Sequence, residues 1–185
     1  MKPPRGAMTM RDILVAIGVL VAVILTVAGL SGACSFAPGG PTVDASRLPV
    51  VDAPAELRAL APAVPFGIRI PAVPPTWRAN SVDQDRVAES GARAVRTGYV
   101  TPGGRYVRLL QSDATEPVLL AVETGARPVT AKGVEDVGGQ AWVVYDGREP
   151  IWTTELAAGT RMLITGSGTD DDFRTVAATA LLPPV

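Results

Sequence analysis

Eighteen consecutive residues, Ile13 to Leu30, carry no charge and read ILVAIGVLVAVILTVAGL. At 1.5 Å per residue the run makes about 27 Å of helix, close to the ~30 Å hydrocarbon core of a bilayer. Extension through Phe36-Ala37 completes the span. Lys2, Arg5 and Arg11 lie before it, and no charge follows until Asp44. Positive-inside bias then sets residues 1–12 as a cytoplasmic tail, 13–37 as a transmembrane helix, and the rest outside the plasma membrane. Two other readings stay open. Leu30-Ser31-Gly32-Ala33-Cys34 is a loose lipobox, with Ser31 where such boxes usually carry Leu. It would make residues 1–33 a lipoprotein signal and Cys34 a lipidated N-terminus. Ordinary signal cleavage is the third reading, although its apolar core is usually shorter. All three place the following domain in the cell envelope.

Residues 38–51 (PGGPTVDASRLPVV) form a linker rich in Pro, Gly and small residues. Residues 52–185 then change period. Asp52 caps a short helix over Ala53 to Ala61, with Pro54 in its first turn. A proline-rich stretch to Pro75 holds one extended piece, Phe66 to Ile70. Trp77 to Val82 is a modest strand candidate. Arg93–Val100 and Arg105–Gln111 alternate with period two around Thr101-Pro102-Gly103-Gly104, a hairpin signal. Asp113 to Thr124 reads as a helix capped by Asp113 or Thr115 and stopped by Gly125. Gly133–Val137 with Gln140–Tyr145, and Ile151–Leu156 with Arg161–Gly166, predict two more hairpins. Thr169 caps a last helix, and Phe173, Val176, Ala177, Ala180 and Leu181 make one apolar stripe on it. The predicted fold is α+β: an antiparallel sheet of six or seven strands with helices packed on it.

Composition narrows the function classes. The chain has 185 residues, 47% apolar and 19% charged, so disorder is not expected. Its net charge of −1 argues against a nucleic-acid binder. The absence of histidine removes the commonest general base and metal ligand, and the single cysteine excludes an intrachain disulfide. No cofactor, metal site or catalytic set is expected.

Each fragment of chemistry has an ordinary explanation. Gly166-Ser167-Gly168 lies between a strand and a helix, as phosphate cradles do, but three aspartates follow and would repel an anion. Asp170, Asp171 and Asp172 lack the alternate spacing of a calcium loop. Asp83, Asp85, Glu135 and Asp136 are the candidate catalytic acids. The last two are adjacent on a strand and point to opposite faces. Lys132, outside the tail the only lysine, sits where an exposed turn is expected. The tryptophans are expected mainly in the core. A candidate binding surface combines Tyr99, Tyr106, Arg108 and Trp152. Arg93, Arg96, Arg105 and Arg108 would give it a basic face toward anionic lipid headgroups, cell-wall polymer or an envelope protein.

The ordered motifs resemble an actinobacterial family of membrane-anchored proteins, domain-of-unknown-function family 4245 (DUF4245). The resemblance rests on Arg11-Asp12, the run from Cys34 to Pro41, Pro65-Phe66, Pro71, Pro74 and Trp77-Arg78. It continues through Gly98-Tyr99-Val100-Thr101-Pro102-Gly103-Gly104-Arg105-Tyr106-Val107, Gln111-Ser112, Gly139-Gln140-Ala141-Trp142 and Leu163-Ile164-Thr165-Gly166. It implies single-pass topology and an envelope location, and it supplies no catalytic residues. The layout is also similar to a Mog1/PsbP-like α/β/α sandwich. The expected role is a non-catalytic, membrane-anchored protein that binds a partner or assists a complex. The alternatives are a lipid or small-molecule carrier and, last, an extracytoplasmic hydrolase.

Overall fold

A computed structural model describes residues 10–30, 49–87, 90–156 and 159–185. Cys34, most of the expected linker and the first nine residues lie outside that description. The chain divides into two units, Met1–Pro41 and Thr42–Val185.

The first unit contains helix α1, Met10–Leu30. Its described side chains, at 10–24, 26 and 27, are exposed on every side. The only described polar group after Asp12 is the Thr26 hydroxyl, which donates to the Ala22 carbonyl at 2.8 Å. Side chains at 25 and 28–30 fall outside the description. Over the described residues alone, no helix is long and apolar enough to cross a membrane.

The second unit is α+β. Seven antiparallel strands form one sheet: β1 (Arg78–Arg86), β2 (Arg93–Val100), β3 (Tyr106–Ser112), β4 (Thr130–Val137), β5 (Gln140–Asp146), β6 (Ile151–Glu155) and β7 (Arg161–Gly166). Their spatial order is β1-β2-β3-β7-β6-β5-β4. Two meanders, β1–β3 and β4–β7, therefore meet where β3 pairs with β7. Helices lie on both faces of the sheet. α2 (Ala53–Leu60) and α4 (Asp170–Ala180) cover one, and α3 (Glu116–Thr124) crosses the other.

The expected caps form. Asp52 accepts from the Ala55 amide at 3.0 Å and starts α2. Thr169 and Asp172 make a reciprocal capping box at α4. Gly125, at φ 63°, ends α3. Asp113 does not cap α3, because its carboxylate accepts from the Arg93 amide at 2.7 Å. The helix starts at Glu116 behind Thr115, whose side chain makes no capping bond.

The stretch Phe66 to Ile70 is extended but has no strand partner. It is fixed by the side chain of buried Gln111 on β3. That amide accepts from the Arg69 N–H at 2.7 Å and donates to the Arg69 carbonyl at 2.8 Å. One side chain thus supplies the pairing that a neighbouring strand would give. It seats Phe66 and Ile68 against Leu57 and Val95.

The largest core lies under α4. Phe173, Val176, Ala177 and Ala180 face Val107, Leu109, Trp142, Trp152, Met162 and Ile164. With Val137 of β4 in the same cluster, the α4 stripe and the inward positions of five strands meet here, so period 3.6 and period two are satisfied together.

Candidate functional site

The four residues expected to share a binding surface do not share one. Tyr99 and Trp152 lie on the α4 face of the sheet and are 2% and 1% exposed. Trp152 packs edge-on against Phe173, ring centroids 5.8 Å apart, and Arg174 stacks 5.8 Å from its ring centroid. Tyr106 and Arg108 are half-buried on the α3 face.

The cause is one residue of loop. A four-residue connection over 101–104 would set Tyr99 opposite Tyr106. The structure uses five residues: Thr101 donates its N–H to the Arg105 carbonyl at 2.9 Å, and Val100 pairs with Tyr106. Tyr99 then lies opposite Val107, and every β3 side chain changes face.

The arginines do not form a basic face either. Arg96 and Arg108 converge beneath α3 on Glu123, whose side chain is 4% exposed. Arg96 reaches one carboxylate oxygen at 3.1 Å, and Arg108 takes the other. Asp85 at 3.5 Å and Asp83 at 4.0 Å flank Arg96. Two cations against three anions leave the cluster net negative. Arg105 turns away, donating to the Ser167 carbonyl at 3.2 Å.

Glu116 and Glu123 are the polar residues that residue-type patterns did not single out. Both lie on the sheet-facing side of α3 with Leu119, since positions i, i+3 and i+7 share a helix face. Glu116 accepts from the Tyr145 hydroxyl at 3.1 Å and from the Thr153 hydroxyl. Burial, followed by this hydrogen bond and the charge of Glu116, raises the Tyr145 hydroxyl pKa. Burial alone raises that of Tyr99. A helical-wheel reading of 116–123 carries the signal, but it needs the sheet beneath to show what the two carboxylates meet.

Five other acids are also engaged. Glu135 pairs with Arg174 at 3.2 Å, Glu155 with Arg161 at 2.6 Å, and Lys132 with Asp146 at 3.4 Å. Asp136 accepts from the Gly139 amide at 3.2 Å in its own turn. Asp171 pairs with Arg174 at 2.9 Å. The Gly166-Ser167-Gly168 turn spends its polar groups on Tyr106. The Ser167 hydroxyl accepts from the Tyr106 N–H at 3.0 Å, and the Gly168 N–H donates to the Tyr106 carbonyl at 3.1 Å. No group of three or more potential metal ligands gathers among the described residues.

Two clefts adjoin Tyr99 or Glu123. One, of about 460 Å³, lies between the start of α2 and the proline run, lined by Val51, Pro71, Val73, Pro74, Trp77 and Tyr99 among others. The second, of about 310 Å³, adjoins Glu123 and is lined by Arg127, Val129, Arg148, Glu149 and Ile151.

The family model described as a protein of unknown function, DUF4245, matches residues 5–180. No curated protein and no solved structure matches the chain.

Proposed function

The chain belongs to the DUF4245 family, and on that premise we propose that it is a non-catalytic, single-pass protein of the cell envelope. In this reading α1 crosses the plasma membrane with the N-terminus in the cytoplasm. The α+β domain stands outside, where it binds a partner or assists a complex. The observation that carries the reading is α1 itself. It is a 21-residue helix with apolar side chains on every described side and Arg11 at its start. With the uncharged run of the sequence, Ile13 to Leu30, taken whole, its apolar part is about 27 Å long, and a helix apolar all round needs an apolar surrounding. The state of the acids supports a non-catalytic role. Glu116, Glu123, Glu135 and Glu155 are each held by a hydroxyl or a guanidinium.

Protease added to intact spheroplasts tests the topology. It should digest the domain of residues 49–185 and leave a membrane fragment that resists carbonate extraction. A domain fully protected until the cells are lysed would sink the reading. Intact mass decides the anchor: an unmodified full chain supports the spanning helix, whereas loss of residues 1–33 with a diacylglyceryl adduct on Cys34 assigns the lipidated form.

The cleft of about 460 Å³ favours a second reading, a lipid or small-molecule carrier, because its size and its Pro, Val and Trp lining suit an apolar ligand. Native mass spectrometry of protein released gently from its membrane separates the two. A co-purifying small molecule of defined mass supports the carrier, and a second polypeptide in fixed ratio supports the partner role.

A further inference from the structure

Tyr99 lines the cleft of about 460 Å³ between the start of α2 and the proline run. It stands directly opposite Ala79 of β1, whose short side chain lines the same cleft. Tyr99 is only 2% exposed, yet its hydroxyl makes no hydrogen bond with the described residues. Six buried side-chain atoms of those residues lack a partner and are closed off from solvent, and the Tyr99 oxygen is not one of them. The little of Tyr99 that is exposed therefore includes its oxygen, in the cleft that the residue lines. Burial raises the hydroxyl pKa with no hydrogen bond contributing. Buried polar hydrogens are nearly always paired, so an unpaired one at the base of a cleft points to something that meets it there.

The walls around that hydroxyl are apolar. Val51 and Ala53 line the α2 side, and Pro71, Val73, Pro74 and Trp77 line the other. Two backbone carbonyls of the lining are already engaged. That of Ala79 accepts from the Val51 N–H at 3.1 Å, and that of Pro74 accepts from the Trp77 N–H at 2.9 Å. The charged residues of the lining are Asp52 and Arg78, both exposed. One acid and one base leave the lining without net charge.

Building on the carrier reading of this cleft, we propose that its ligand is a neutral acyl ester, whose carbonyl accepts from the Tyr99 hydroxyl and whose chain lies against Pro71, Val73, Pro74 and Trp77. An ion entering the cleft would give up its water and find no net opposite charge to receive it. A neutral acceptor loses less, and it meets the phenolic hydrogen that the chain itself leaves unpaired. A peptide fits poorly, because nearly every residue would bring an N–H and a C=O against Pro, Val and Ala side chains. An ester brings a carbonyl acceptor and no N–H that needs a partner. Its apolar chain suits walls from which water is better displaced than held.

Photolabelling of membranes that hold the full chain tests the assignment. Two probes are used at low concentration: a monoacylglycerol with a diazirine in its acyl chain, and its alkyl ether counterpart, which lacks the carbonyl. Label on residues 49–79 is mapped by tandem mass spectrometry. The ratio of ester to ether label is compared between the wild type and Tyr99→Phe, so uptake by the bilayer cancels. The wild-type ratio should exceed that of Tyr99→Phe about fivefold, the worth of one neutral hydrogen bond. Tyr99→Phe should match or exceed the wild type in urea stability, because it removes a hydroxyl that has no partner in the chain. Cleft label with a ratio unmoved by Tyr99→Phe would overturn the ester assignment and leave the carrier reading standing. No label there from either probe, as a polypeptide occupant would give, would overturn both. A Tyr99→Phe variant less stable than the wild type would place the partner of the hydroxyl within the chain and overturn the assignment as well.

Discussion

α4 and α3 close opposite faces of the same sheet by different means. α4 lays Phe173, Val176, Ala177 and Ala180 onto an apolar surface built around Trp142 and Trp152. α3 brings a smaller apolar contact, centred on Leu119, and fixes its two ends with carboxylates. Glu116 holds two hydroxyls at one end, and Glu123 holds two guanidinium groups at the other. Apolar burial under α4 is non-directional and scales with area. Ionic closure under α3 is directional and carries a desolvation cost that partly cancels its attraction. The α4 face should therefore dominate stability, while the α3 face sets the position of its helix.

The strongest way to break this contrast is Phe173→Ala. The ring is fully buried against Trp152, and its loss should cost about 4 kcal/mol, read from urea unfolding. Glu123→Ala is the counterpart on the other face. It leaves Arg96 and Arg108 facing each other without their shared anion, which should cost about 2 to 3 kcal/mol. The Arg108 side chain is 31% exposed, so solvent screens part of the cost. Replacing Glu123 by Leu together with Arg96 and Arg108 by Met should recover most of that loss, since removing the whole ionic set leaves no buried charge unpaired. A triple variant as unstable as Glu123→Ala would show that the ionic set itself supplies net stability, and the contrast would fail.

Gly98 sharpens the contrast on a smaller scale. It lies on the α3 face, where a Cβ would meet the Tyr106 hydroxyl at 2.4 Å and the Asn80 Oδ1 and Ser81 Oγ at 2.6 Å. These are the ends of side chains that can shift, so Gly98→Ala should cost about 1 to 2 kcal/mol. Adding Tyr106→Phe removes the nearest atom and should return part of it. The same double variant without recovery would place the conflict at Asn80 and Ser81.

The two faces also differed in how far they were legible. The α4 face follows from local patterns: the stripe on 173–181, the capping box at Thr169 and the alternation of β3 and β7 all act within a few residues. The α3 face depends on a quantity no pattern states, the length of the β2–β3 loop. One extra residue, Arg105, moved Tyr106 and Arg108 away from Tyr99 and dissolved the expected aromatic surface. The arginines gathered as expected on paired strands, yet their charge was matched by Glu123 from 27 positions beyond Arg96. Gln111 pairs with Arg69 across 42 positions, and nothing at 66–70 announces that its partner is a side chain. Local periodicity carries core and caps, whereas register and ionic partners are settled only when distant segments meet.

The smallest effect at neutral pH separates the faces by titration. Tyr99, on the α4 face, has its hydroxyl pKa raised by burial alone. Tyr145, on the α3 face, is raised by burial and further by its bond to Glu116 and that residue's charge. Both folded values lie above the unfolded tyrosine value of about 10. The folded chain then holds its protons longer than the unfolded one. This contribution to stability is intact below about pH 10 and is lost as pH rises through the folded values. Glu116→Gln should cost only about 1 kcal/mol at neutral pH, by weakening its bonds to Tyr145 and Thr153. In alkaline solution it should lower the ionisation midpoint of Tyr145, followed by ultraviolet absorbance against a Tyr145→Phe reference. The midpoint of Tyr99, referenced to Tyr99→Phe, should stay where it is. If Glu116→Gln leaves the Tyr145 midpoint unmoved, burial alone sets both hydroxyls. The two faces would then handle a buried hydroxyl alike, and their difference would reduce to the arginine pair on Glu123.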